Sequence, residues 1–64
     1  MNRIREVRES KNMTQKSLAL MANVSQPYLH DLETGARGAK PDTWTRIARA
    51  LGVQVEDLEE KKAG

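Results

Sequence analysis

The 64-residue chain contains no cysteine, which excludes a disulfide framework and a thiolate metal site. Histidine occurs once, as His30, and a lone histidine is not a metal site. Long apolar runs are also lacking. The longest, Leu18 to Ala22, has five residues, far short of the roughly 20 that a membrane-spanning helix needs. The opening MNRIREVRES puts no apolar core behind its positive charges, so it does not read as a signal peptide. There is no internal repeat and no low-complexity tract. There is no glycine-rich phosphate loop and no nucleophile–base pair, which argues against an enzyme. A chain this short has little room for a deep pocket, so neither a cofactor nor a small-molecule ligand is expected. What remains is one small cytoplasmic domain, whose core supplies only about 3–5 kcal/mol of net stability.

The charge that is present is unevenly spread. Residues 1–50 carry nine Lys or Arg against five Asp or Glu, a balance of +4, whereas residues 51–64 carry a balance of −2. The basic part leans weakly toward a polyanionic partner.

β-branched and aromatic residues never alternate with polar ones over a strand length, so the chain reads as all-α. A first helix is predicted from about Asn2 to Lys11, with Ile4 and Val7 on one face beside Arg8. Asn12 suits a left-handed stop, and Met13 folds back as an apolar plug. Thr14 is a good N-cap for a second helix over 15–22. Its inward stripe includes Leu18, Ala19 and Ala22, with Leu20 off the stripe. Asn23 again fits a left-handed turn, Val24 fills that turn, and Ser25 caps a third helix over 26–34. Pro27 is tolerated because it falls in the first turn. Gly35 ends the helix, and GARGAK forms a loop. Pro41 opens a fourth helix with Trp44, Ile47, Ala48 and Leu51 on one stripe, closed by Gly52. A last helix is predicted over about 55–61, anchored by Leu58, with residues 59–64 as a frayed tail. The apolar positions suffice for a compact five-helix bundle occupying residues 3–58.

The segment 15–34 has the layout helix, short turn, helix, which is that of a helix-turn-helix. A tight turn makes the two helices cross steeply, so the second can project an exposed face beyond the domain. In DNA-binding versions that helix enters the major groove. The stretch from Ile4 to Leu58 resembles the phage repressor and Cro family, also called Xre. The matching pieces are IREVR at 4–8, TQKSLA at 14–19, NVS at 23–25, YLHDLETG at 28–35 and RIARALGV at 46–53. Asparagine stands at 12 and 23 where the family often has glycine, and Lys40 stands where a capping serine is usual. The resemblance implies a five-helix domain of the lambda-repressor type that binds operator DNA, commonly as a homodimer.

On the third helix, Leu29 and Leu32 centre the buried side, while Pro27, His30, Asp31 and Thr34 centre the opposite one. Gln26 can donate and accept together, which matches the N6 and N7 edge of adenine. Pro27 can offer only apolar contact to a thymine methyl. Asp31 could accept from cytosine N4 or exclude wrong sites without touching a base. Ser25 caps the helix and is a further base-contact candidate. Thr14, Gln15, Tyr28, Thr34, Arg37 and Lys40 are the candidate phosphate contacts. The resemblance also implies that Gln15 braces Gln26. Arg8 and Glu33 lie at inner helix edges, where neither should be buried alone; they are predicted to pair, as the corresponding family residues do. Val53, Val55 and Leu58 are the candidates for a dimer interface. The leading expectation is a transcriptional regulator, in particular a repressor, bound to double-stranded DNA. The alternative is a protein-interaction module on the same fold, such as an antitoxin, antirepressor or adaptor.

Overall fold

The computed structural model describes residues 2–59. Four α-helices follow one another: α1 (Ile4–Ser10), α2 (Gln15–Ala22), α3 (Gln26–Thr34) and α4 (Pro41–Leu51). A short 3-10 turn at Val55–Leu58 comes last. The expectation of a fifth helix is thus corrected to this single turn. Gln54 and Asp57 cap it reciprocally, with Gln54 N donating to Asp57 Oδ2 at 3.0 Å, and Glu59 then leaves in an extended conformation. Residues 60–64, which include the end of that predicted helix and nearly all of the predicted tail, lie outside the described residues. No helix among the described residues is long and apolar enough to cross a membrane.

The first helix is also shorter than its pattern predicted, because Asn2 stays outside it as a clamp. Asn2 Oδ1 accepts from Ile4 N at 3.0 Å, and its Nδ2 donates to the carbonyl of Leu32 at 2.6 Å. The starts of α2 and α3 use side-chain caps. Thr14 Oγ1 accepts from Ser17 N at 3.0 Å, and Ser25 Oγ accepts from Tyr28 N at 3.2 Å. Each cap satisfies one of the amide groups that a helix start leaves without a partner.

Three helices end by one device. Asn12, Asn23 and Gly52 take left-handed backbone angles, with φ of 58°, 57° and 72°. The next residue then donates its N–H back to a carbonyl five positions earlier: Met13 to Arg8, Val24 to Ala19 and Val53 to Ala48, at 3.0–3.1 Å. In each case that residue is apolar and packs against the core. The bond satisfies an orphan helix carbonyl while the side chain seals the helix end.

Ile4, Leu18, Leu29, Leu32, Ile47 and Leu58 are wholly buried, and Ala19, Ala22, Ala48 and Leu51 complete the core. α2 packs chiefly on α4 and α3. Alanines on both α2 and α4 let those helices approach closely.

One polar cluster crosses the packed layers. Arg8 and Glu33 are almost fully buried, 8% and 4% exposed. Arg8 Nε and Nη2 donate to the two Glu33 oxygens at 2.8 and 3.1 Å, and Nη1 donates to the carbonyl of Met13 at 2.8 Å. The hydrogen bond to Glu33 holds the Arg8 pKa above the ordinary arginine value, against the opposing effect of desolvation. Gln15 Nε2 adds a fourth bond, to Glu33 Oε1 at 3.1 Å. α1, the loop after it, α2 and α3 are thereby joined at one point.

Removing one member strands the other charge in the interior. Arg8→Ala should therefore lose about 3–5 kcal/mol of stability in urea denaturation; a variant as stable as wild type would refute the pair's structural role. The left-handed site at Asn23 gives a second expectation. Asn23→Ala should cost about 1 kcal/mol, because alanine keeps the Cβ strained in this region but lacks the short polar side chain that lets asparagine tolerate it, whereas Asn23→Gly should be near neutral in the same assay.

Candidate nucleic-acid interface

α3 enters from Ser25, whose extended angles (φ −75°, ψ 152°) turn the chain sharply before the first helical residue. Pro27 fits the first turn, where its missing N–H leaves no helical bond unmade. Leu29, Leu32 and Glu33 anchor the inner side of α3. The outer side is left to water: Gln26, Pro27, His30 and Thr34 are exposed, and Asp31 is half-exposed. The first two turns of the helix thus present mainly polar groups to solvent.

The start of α2 lies beside this face. Gln15 Nε2 comes within 3.4 Å of His30 Nδ1 while donating to Glu33. The brace to Gln26 implied by the family resemblance is corrected accordingly. Glu33 offers a carboxylate within reach, and Gln26 lies about 10 Å further along α3 at 1.5 Å per residue. The Thr14 hydroxyl oxygen accepts from Ser17 N, and its own proton remains to be donated. The amides of Gln15 and Lys16, in the first turn, have no intrahelical acceptor and are open to an anion. Exposed Lys16 belongs beside them; its signal in the sequence is a cation at the second position of a capped helix.

The loop after α3 folds back over it. Arg37 N donates to the carbonyl of Asp31 at 3.3 Å. The Arg37 guanidinium carbon stands 5.4 Å from the centre of the Tyr28 ring, a cation–π distance. Arg37 Nε is 3.9 Å from Asp31 Oδ2. This grouping spans a helix-ending glycine and has no direct sign in the sequence. Tyr28 is half-buried against the core and serves as the platform for Arg37.

Thr34, a candidate phosphate contact, is exposed at the end of α3. Its hydroxyl proton goes to the carbonyl of Asp31 at 3.2 Å, and its oxygen accepts from Ala36 N at 3.4 Å, so it closes the helix end. A phosphate could be met only by breaking the first bond. Ser25 differs, because its oxygen accepts from Tyr28 N and its own proton remains to be donated. Lys40 is exposed at the start of α4 and makes no side-chain cap there.

Of the dimer candidates, Leu58 is corrected: it is wholly buried in the monomer and has no surface to offer. Val53 and Val55 are half-buried. Val55 lines a shallow, largely apolar cleft with Pro41, Trp44, Thr45 and Glu59. Trp44, read from the sequence only as core, thus also reaches the surface.

Comparison with known proteins agrees with this geometry. A helix-turn-helix family model matches residues 4–58. The control protein C.BamHI of Bacillus amyloliquefaciens is 40% identical over 57 residues, covering 88% of this chain and 70% of that protein. The HTH-type transcriptional regulator DdrOP3 of Deinococcus deserti is 38% identical over 56 residues; the match takes in 88% of this chain but only 43% of the regulator. The crystal structure of the restriction-modification controller protein C.AhdI from Aeromonas hydrophila superposes with a TM-score of 0.83 at 27% identity, covering 86% of this chain and 83% of the other. The chain belongs to the helix-turn-helix family of phage repressor and Cro (Xre) type.

Proposed function

We propose that this domain binds double-stranded DNA sequence-specifically and regulates transcription, in particular as a repressor, with α3 in the major groove. One observation carries the reading: the outer face of α3 is polar and unobstructed, with the first turn of α2 beside it. Gln26, at the start of α3, is the principal base reader, joined by Ser25, Pro27 and Asp31. The amides at the start of α2, with Thr14, Gln15 and Tyr28, and the cations Arg37 and Lys40 supply phosphate contacts. These set the register of the domain on the duplex and carry no sequence information themselves. It is a binding protein rather than an enzyme, and its place of action is the cytoplasm. A homodimer would read two half-sites about 34–36 Å apart, using the surface around Val53 and Val55.

A second reading, as a protein-interaction module, draws on the exposure of two neighbouring apolar residues of α2, Leu20 at 74% and Met21 at 61%. Titration with random-sequence duplex separates the two. Binding at low salt that falls steeply as salt rises supports the first reading; no binding even at low salt supports the second.

Selection from a random DNA pool would define the operator. On that site Gln26→Ala should lose about 1–3 kcal/mol of binding, the worth of one bidentate base contact, while affinity for random DNA changes little. An equal loss on both would refute base reading by Gln26.

A further inference from the structure

Asp31 carries negative charge on the face that the proposed function turns toward a polyanion. Arg37 answers it from the following loop, at 3.9 Å. Two other contacts hold Arg37 in place: its N–H bonded to the Asp31 carbonyl at 3.3 Å, and its guanidinium over the Tyr28 ring at 5.4 Å. The backbone is tied down by a hydrogen bond, whereas the charged group is held only by the ring face and a long ion pair. The side chains of Arg37 and Asp31 are 60% and 40% exposed, and 3.9 Å is too long for a hydrogen bond. Such a pair is loose and readily screened.

We propose that Asp31 and Arg37 act together as a specificity device, in which Arg37 passes from Asp31 to a DNA phosphate on binding and leaves Asp31 to discriminate between sequences. The proposal rests on the DNA-binding reading above. A phosphate offers Arg37 short, charge-assisted hydrogen bonds that Asp31 does not supply at 3.9 Å. Transfer therefore favours the complex on any duplex. Once Arg37 has left, Asp31 faces the DNA uncompensated. Where a cytosine N4 amino group meets it, the carboxylate accepts a hydrogen bond. Elsewhere it finds only repulsion, which lowers affinity for wrong sites. Arg37 thus adds affinity everywhere, and Asp31 removes it everywhere except at the right sequence.

The test is equilibrium binding of the full chain to random duplex and to the selected operator over a range of salt. Wild type, Asp31→Asn, Arg37→Gln and the double variant are compared. Asp31→Asn should bind random DNA about three- to tenfold more tightly and the operator no more tightly than wild type. Arg37→Gln should weaken both and reduce the salt slope by about one. The gain from Asp31→Asn on random DNA should shrink in the Arg37→Gln background, where no pair is left to release. Equal effects of Asp31→Asn on random and operator DNA, or an unchanged gain in the double variant, would overturn the device and leave the DNA-binding reading intact. Failure of wild type to bind any duplex at low salt would overturn both.

Discussion

Two opposite charges withdrawn from water, Arg8 and Glu33, hold the arrangement of the first three helices. Their attraction alone would not recommend them, since desolvating two ions can cost as much as their pairing returns. The geometry around them changes the balance. The guanidinium meets the carboxylate with two parallel bonds and spends a third donor on the carbonyl of Met13. The carboxylate takes a further bond from Gln15. Such a network tolerates few arrangements. It sits on the inner edge of α3 near its C-terminal end, so it fixes how that helix is rotated and which residues face outward.

The caps and stops supply the rest of the frame. Thr14 and Ser25 start the two central helices, and Asn23 with Val24 separates them in three residues. So short a turn leaves the chain almost no freedom in how α3 leaves α2. An outward face needs this stiffness, because a contact with a base edge is directional. The exposed residues of α3 are therefore positioned by a short turn on one side and by the buried residues of the helix on the other. The domain separates the two tasks along one helix: Leu29, Leu32 and Glu33 hold it, and Gln26 and Asp31 are held.

Most of this frame is legible in the sequence because it is local. Helix starts, left-handed stops and apolar stripes are set within a few residues, and those patterns predicted α2, α3 and α4 closely. The last helix is shorter than its pattern predicts for an equally local reason: Val55 and Leu58 continue an apolar stripe, but Glu59 turns to an extended conformation after a single turn. The site was less legible. Exposure of Gln26 follows from helical periodicity. The meeting of Arg37 with Tyr28 and Asp31 depends on the path of an irregular loop, which no periodicity describes. The bond from Asn2 to the Leu32 carbonyl joins residues 30 positions apart and has no signature in either neighbourhood.

Arg3 N donates to the carbonyl of Leu58 at 2.8 Å, so the two ends of the folded unit are stitched together. Whatever is appended before or after the domain emerges from a single pole. An added module at either side would start from the same place relative to α3, and its leash length would set its reach. The same stitch makes the chain a natural substrate for circular permutation: a linker across residues 3 and 58 would bridge a gap already closed, and new ends could open in the exposed stretch around Gly38, where a side chain would meet nothing within 4 Å.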